Sequence, residues 1–449
     1  MDKLGREAIV IGSGIGGLLA ARVLSDHFER VSILERDAVG DTREARAGVP
    51  QGKHLHALLV GGQRVLDDLF PGFEEDLDRV GAARLRAGLD LRVERPGFDP
   101  FPQRDLGLSS AGLTRPQLEF CVRRRVLGIA NVHMEGGCRV MTLLPGDDRR
   151  SIAGLQYKHD GRSETRAADL VVDASGSGDL TLAALAATDH ASPRETTIGV
   201  DLGYSSAVLA IPDGTPTDWR GVMHLPDAPK TSRGALMMPV EGNRWMLALG
   251  GRPGEHPPAD EEGFRAYAAT LRTTTIARAI APAKLVTGIE RFRFNESRLR
   301  HFDEMQTFPG GLLPLGDAIC RFNPVFGQGM SVAAQQAHAF GQLLARSMSG
   351  ELPLRALWHP FFARVAAIVD TPWALAAIPD FIFPQTRGER PPDFEMSLQF
   401  GTALNRAAAK HADIHKVAAE VQHLLRPRSA LMDRQFIERI MSEMSNSTS

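Results

Sequence analysis

The fold is decided near the N-terminus by the run Ala8-Ile9-Val10-Ile11-Gly12-Ser13-Gly14-Ile15-Gly16-Gly17. Its first four residues are typical of a buried strand, and the apolar residues from Leu18 to Leu24 continue as a helix. Gly12 permits the tight turn, Gly14 lets a diphosphate approach the backbone, and Gly17 lets the helix pack closely on the strand. The pattern predicts a βα unit that binds a dinucleotide at the positive end of its helix.

An acidic residue supports this interpretation. A second predicted strand, Val31-Ser32-Ile33-Leu34, ends at Glu35, whose carboxylate is placed to accept hydrogen bonds from a ribose diol. An acid at this position favours FAD or NAD over NADP. Arg36 and Arg43, in the polar segment that follows, are further predicted cofactor-binding residues. The alternative is a tight glycine turn in an unrelated α/β domain.

Composition permits this interpretation without requiring it. The chain has 449 residues, which suits two or three domains, and its 52 Lys and Arg residues nearly balance 54 Asp and Glu residues. A near-neutral chain does not suggest nucleic acid or an anionic surface as partner. Three scattered cysteines argue against a metal site or a disulfide framework and favour a cytoplasmic location. We expect no integral membrane segment, because no apolar stretch is long enough.

A second glycine-rich run begins at Gly316. Gly316-Asp317, followed by Pro324-x-x-Gly327-x-Gly329 and a helical stretch from Met330 to Met348, resembles the second FAD motif of the flavoprotein monooxygenase superfamily with the aromatic-hydroxylase fold. The resemblance implies that Asp317 accepts a hydrogen bond from the ribityl chain. It also implies that the segment from Pro324 to Met330 wraps the isoalloxazine and directs a helix N-terminus towards it. By the same resemblance, Arg115 helps to hold FAD.

The resemblance also implies a fold class. We expect an α/β protein in which a Rossmann-like FAD-binding domain is interleaved with a mainly antiparallel β-sheet substrate domain, followed by C-terminal helices. The predicted ranges are 1–80, 110–185 and 285–350 for the FAD-binding domain, 81–109 and 186–284 for the substrate domain, and 351–449 for the helices. β-Type alternation extends from about Thr196 to Phe302, with Gly242-Asn243 as a two-residue hairpin turn.

Within the superfamily, the runs from Gly48 to His56, from Asp173 to Gly176 and from Phe322 to Met330 look most like the epoxidase and hydroxylase branch. The WxWxIP run of tryptophan halogenases does not occur in this sequence, which disfavours halogenation. Related single-component hydroxylases carry Asp-Gly where this chain has Asp173-Ala174. The electron source therefore stays open between NADH, NADPH and a separate flavin reductase.

The expected chemistry is monooxygenation, in which reduced FAD and O2 form a C4a-hydroperoxide that hydroxylates or epoxidises an electron-rich substrate. His54 and His56 are candidate acid–base residues, although a packing role is the simpler interpretation of each. Met238, Trp245 and Phe326 are candidates for substrate binding. Core packing is the simpler interpretation of Met238 and Trp245, whereas Phe326 has the stronger case because it lies in the second glycine-rich run. Other functions left open are hydroxylation of a peptidyl tryptophan in quinone-cofactor maturation, reduction of a prenyl chain, a halogenase-like reaction, and non-catalytic FAD binding.

Overall fold

The computed structural model describes residues 3–40, 43–46, 48–215 and 218–445. The strands are β1 (Gly5–Ile11), β2 (Phe28–Leu34), β3 (Ala83–Arg86), β4 (Leu91–Glu94), β5 (Ser109–Gly112), β6 (Val132–Glu135), β7 (Arg139–Pro145), β8 (Ile152–His159), β9 (Arg162–Ala167), β10 (Leu170–Asp173), β11 (Glu195–Ala210), β12 (Gly221–His224), β13 (Gly234–Val240), β14 (Arg244–Gly251), β15 (Glu290–Arg300), β16 (Leu312–Pro314) and β17 (Cys320–Arg321).

The helices are α1 (Ile15–Ser25), α2 (Val60–Leu69), α3 (Phe73–Arg79), α4 (Arg115–Leu127), α5 (Asp179–Ala187), α6 (Glu261–Ala269), α7 (Thr275–Ile280), α8 (Gly329–Met348), α9 (Trp358–Asp380), α10 (Phe394–Lys410), α11 (Ala412–Gln422) and α12 (Arg434–Ser445). In the described part of the chain, no helix combines the length and apolar character needed to cross a bilayer.

A parallel sheet organises the first layer. Within the described residues its order is β16-β10-β1-β2-β6, and each neighbouring pair is parallel. Its central strands are apolar and buried, as expected for a sheet covered on both faces. Helix α1 packs against α8 so closely that a side chain on Gly341 would lie 3.0 Å from Val23. This sheet is the Rossmann-like element predicted from the sequence.

The second layer is a larger sheet with the order β17-β15-β11-β14-β13-β12-β4, counted over the described residues. Its pairs are antiparallel except for β12 with β4. Strand β15 lies in this sheet although it comes from the range 285–350, which we predicted as part of the FAD-binding domain. One face of the sheet packs on α6 and α7 through a core that contains Trp245 and Phe264.

Helices α6 and α7 interrupt the region from Thr196 to Phe302, where the sequence predicted only β-type alternation. The prediction missed a helix start at Asp260, whose carboxylate accepts a hydrogen bond of 2.7 Å from the backbone of Gly263. Phe264, Tyr267, Ala268 and Leu271 then recur at helical spacing and are buried. The predicted class, α/β with a parallel sheet, a mainly antiparallel sheet and C-terminal helices, is confirmed.

Candidate functional site

The first glycine loop joins β1 to α1, and its three glycines differ in their surroundings. Gly12 has a φ of 95°, and a side chain there would lie 2.7 Å from the carbonyl oxygen of Ala174. A side chain on Gly17 would lie 2.0 Å from the carbonyl oxygen of Gly12, so both positions are restricted by the protein itself. Gly14, at the N-cap of α1, has no atom within 4 Å of an added Cβ. The space in front of Gly14 therefore suits a ligand that approaches the backbone.

Glu35 follows β2 and is 6% exposed. Its carboxylate accepts hydrogen bonds from the backbone and hydroxyl of Ser13, both at 2.8 Å, and from the backbone of Asp37. Burial raises the pKa of Glu35, but these backbone hydrogen bonds and the charge of Arg46 outweigh it and hold the pKa below its ordinary value. The carboxylate is therefore ionised beside the loop, as a ribose-binding acid must be.

Arg46 is the buried arginine of this region, and the sequence analysis did not select it. Its guanidinium pairs with Glu35 at 2.8 Å and with Glu119 of α4 at 3.2 Å. Its buried Nε has no hydrogen-bond partner among the described residues. Of the two arginines predicted in the segment after β2, Arg36 donates to the carbonyl of Gly48, and Arg43 lies 5.0 Å from the ring centre of Phe120. Neither contact marks a cofactor-binding role, whereas a buried unpaired donor is consistent with one.

The second glycine run connects β16 to α8. Gly316 and Gly327 have φ values of 70° and 64°, which glycine adopts readily, and the backbone N–H of Gly316 donates to Gln336 at 2.7 Å. Gly329 opens α8 and, like Gly14, has no atom within 4 Å of an added Cβ. Met330 is 9% exposed and belongs to the apolar core, so its side chain packs inward. We name the segment Asn323–Gly329 the flavin loop.

Asp317 lies just before this loop and combines two properties. Its side chain is accessible, yet burial raises the pKa of its carboxyl group, against the lowering effect of the Arg115 charge. Arg115, the first residue of α4, is thus near enough for its charge to act on the carboxyl group of Asp317.

Arg115 also fixes the state of His56. The Nδ1 of His56 lies 3.0 Å from the carbonyl oxygen of His54, which can only accept, and its Nε2 lies 3.1 Å from Nη1 of Arg115, which can only donate. His56 is therefore the neutral tautomer with the proton on Nδ1. Burial and the Arg115 charge accordingly lower the pKa of His56 to about 3.

His54 is equally uncharged. Its ring is 2% exposed, contacts Tyr204 edge-on at 4.8 Å and lies 3.0 Å from the hydroxyl of Ser206. Burial lowers the pKa of His54 to about 4. Both predicted histidines thus lie in the region of the site, and both are neutral near pH 7. These contacts favour the packing interpretation over acid–base catalysis.

An apolar cleft opens beside these residues and encloses about 290 Å³, counting its open mouth. Its lining residues are Leu55, His56, Ala57, Leu58, Ser110, Ala111, Gly112, Leu113, Met238, Pro239 and Val240. The flavin loop lies against one wall, because a side chain on Gly327 would lie 3.3 Å from Cβ of Ala57. Phe326, on that loop, is half-buried.

Trp245, a substrate-binding candidate for which core packing was the simpler interpretation, is not among the residues that line this cleft. Residues alternate between the faces of a strand, so Met238 faces the cleft whereas Met237 and Trp245 face the core beneath α6 and α7. Trp245 stacks on Trp219 at 5.8 Å between ring centres, and its Nε1 donates to the carbonyl of Arg220 at 3.1 Å. These contacts make Trp245 a core residue.

Comparison with known proteins agrees with this geometry. Residues 135–357 match the FAD binding domain family. The chain is 32% identical over 410 residues to Protein Rv3254 of Mycobacterium tuberculosis (strain ATCC 25618 / H37Rv), a match that covers 85% of this chain and 81% of that one. It is 25% identical over 334 residues to Squalene epoxidase 3 of Arabidopsis thaliana, covering 73% of this chain and 58% of that enzyme.

Among solved structures, the flavin-dependent brominase Bmp2 superposes with a TM-score of 0.70 at 13% identity, covering 99% of each chain. At this identity the likeness shows a shared fold. Together with the two glycine loops that leave Gly14 and Gly329 open, the matches indicate an FAD cofactor. The chain therefore belongs to the FAD-dependent monooxygenase superfamily and is a flavin-dependent oxidoreductase.

Proposed function

We propose that this enzyme transfers one oxygen atom from O2 to an uncharged, electron-rich organic molecule, hydroxylating an arene or epoxidising an alkene. The observation that carries the proposal is the apolar cleft whose wall at Ala57 touches the flavin loop at Gly327. A substrate in this cleft lies next to the segment that, by resemblance, wraps the isoalloxazine.

Residues at the two ends of the site have different tasks in this proposal. Gly12, Gly14 and Gly17 with Glu35 and Arg46 would bind the adenosine diphosphate part of FAD. The residues that would surround the flavin part are Arg115, Gly316, Asp317, Pro324, Gly327 and Gly329. When bound, FAD supplies the electrons and the reaction with O2. The N-terminus of α8 would place the positive end of a helix dipole beside the flavin, where it favours negative charge.

The cleft itself limits the substrate. Among the described residues, its lining contains no Lys, Arg, Asp or Glu, and the one titratable group there, His56, is neutral with both nitrogens occupied. An ionised substrate would lose hydration there without a counter-charge, which is costly. Nothing in the lining is available to deprotonate a phenol, so the substrate must bring its own reactive π electrons. This favours an alkene or an arene that is already electron-rich.

The family favours a small-molecule substrate, and nothing observed supports a peptidyl tryptophan. The electron source implied by the resemblance is NADH, NADPH or a separate flavin reductase. A halogenase-like reaction has the support of the shared fold alone, and the chain carries no WxWxIP run. Halide transfer and prenyl reduction are therefore outcomes that a test must distinguish from oxygenation.

The test uses the FAD-loaded protein, reduced anaerobically with dithionite and mixed with oxygen-18 gas in buffer that contains bromide. Styrene serves as the alkene probe and phenol as the arene probe, with mass spectrometry of the products. We expect one oxygen-18 atom in the product from at least one probe, more readily from the alkene. A brominated product, a saturated double bond, or complete conversion of O2 to hydrogen peroxide with both probes would contradict the proposal.

A further inference from the structure

Three distant segments meet at a buried carboxylate behind the flavin loop. Asp380 ends α9, Arg252 directly follows β14, and Asn323 begins the flavin loop. The three residues are between 3% and 4% exposed, and none of them lines the apolar cleft. Burying polar groups in this way is costly unless they satisfy one another.

The amide of Asn323 is oriented by this contact. Its Oδ1 accepts from the backbone N–H of Val325 at 3.3 Å and so caps the turn Pro324–Phe326 inside the flavin loop. Its Nδ2 donates to both carboxylate oxygens of Asp380, at 3.0 and 3.2 Å. Asp380 can only accept while ionised, so it forces the NH2 group towards itself and leaves Oδ1 for the turn.

Arg252 keeps Asp380 in the state that this task requires. Its Nη2 donates to Asp380 at 2.6 Å, its Nη1 donates to Thr386 at 2.8 Å, and its guanidinium lies 4.4 Å from the ring centre of Phe383. Burial raises the pKa of Asp380 to about 6, and the charge of Arg252 opposes that rise. Asp380, paired with Arg252, is therefore ionised although it is buried, and its carboxylate can accept the hydrogen bonds of Asn323.

We propose that Asp380 is a positioning residue for the flavin: through the Asn323 amide it holds the turn Pro324–Phe326, and with it Gly327 and Gly329, in the conformation that binds the isoalloxazine. The inference rests on the proposed assignment of the flavin loop. It makes a residue of the C-terminal helical region part of the cofactor site, although Asp380 would touch neither FAD nor substrate.

The first test is the isosteric variant Asp380→Asn. Its amide offers one acceptor instead of two and brings two hydrogens that compete with those of Asn323 and Arg252. We expect a folded protein whose FAD dissociation constant is higher on the order of tenfold, with increased fluorescence of the bound flavin. The matched control is Asp370→Asn on the same helix, where the carboxylate is half-exposed and pairs with Arg428 at 2.8 Å. It should bind FAD like the original protein.

A double-mutant cycle separates positioning from simple stabilisation. If Asp380 acts through Asn323, then Asn323→Ala alone weakens FAD binding to a similar extent, and Asp380→Asn adds little in the Asn323→Ala background. Equal losses in both backgrounds would overturn the inference, as would a lower melting temperature with unchanged FAD affinity. If Asp380→Asn does not fold, Asn323→Ala decides alone, because normal FAD binding by that variant contradicts the inference. Failure of the original protein to bind FAD would instead contradict the cofactor assignment itself.

Discussion

At the scale of single residues, Gly14 and Gly17 belong to one motif but are glycines for different reasons. A side chain at Gly17 would meet the backbone of the same loop, whereas one at Gly14 would meet only the space in front of α1. The fold therefore requires glycine at position 17, and the ligand requires it at position 14. The sequence motif does not distinguish the two, because it records spacing and not the neighbour that restricts each position.

This distinction predicts opposite results for two substitutions. Gly14→Val should fold with a stability within about 1 kcal/mol of the original and purify without colour, because the branched side chain occupies the space for the diphosphate. Gly17→Val should lose more than about 3 kcal/mol, because its Cβ has no room. Urea denaturation and FAD absorbance measure the two properties.

The control for both substitutions is Gly401→Val on α10, which also faces open space but lies outside the site. It should remain yellow and stable. Full FAD occupancy in Gly14→Val would show that the diphosphate binds elsewhere.

At the scale of elements, the hairpin of β13 and β14 lies where the sequence predicted it, but its turn is one residue longer than the predicted Gly242-Asn243. Val240 pairs with Arg244, so the turn consists of Glu241, Gly242 and Asn243, and the last two have φ values of 75° and 53°. Both values suit a tight hairpin turn with left-handed residues. The hairpin also supports the site, since Glu241 accepts hydrogen bonds from the backbone and hydroxyl of Thr114, at the start of α4.

The left-handed turn leads to a prediction for Asn243. Asn243→Gly should change the free energy of unfolding by less than about 0.5 kcal/mol, whereas Asn243→Val should lower it by about 1–2 kcal/mol, because a β-branched residue is strained at positive φ. Thermal denaturation of both variants measures the difference. Equal stability of the two would mean that the turn relaxes to another conformation.

Elements formed by local patterns could be predicted from the sequence, and contacts between distant elements could not. The strand, glycine turn and acid of the first βα unit lie within about thirty residues of one another, as does the start of α8 after its glycine run. Arg46 was missed because its partner Glu119 lies on another helix. The contact between Asp380 and Asn323 joins segments 57 residues apart, and no local pattern marks it.

At the scale of the whole molecule, burial of neutral histidines links stability to pH. His54, His56 and His423 all have pKa values lowered by burial, to about 4, 3 and 4. A lowered pKa means that the unfolded chain takes up protons first as the pH falls below 6.5. The stability that these groups contribute is therefore complete above that value and is lost as the pH falls towards 4.

The variant His54→Gln isolates one such contribution, since glutamine keeps a hydrogen bond to Ser206 without titrating. Between pH 6.5 and 4 its free energy of unfolding should fall less steeply than that of the original, by up to about 1.4 kcal/mol per pH unit. Urea denaturation of both proteins at several pH values measures this difference in slope. The two curves should run parallel above pH 7, and parallel curves below pH 6 would mean that His54 is charged in the folded protein.

The order of strands in the parallel sheet has a consequence for synthesis of the chain on the ribosome. Strand β16 pairs with β10, and it is made long after β10 and β1 have left the ribosome. Until then the nascent polypeptide exposes one edge of β10, whose residues are apolar except for Asp173. An exposed apolar strand edge can pair with other chains and so promotes aggregation. Gly329 is also synthesised late, after β16. The nascent chain must therefore avoid aggregation through most of translation before it can bind its cofactor.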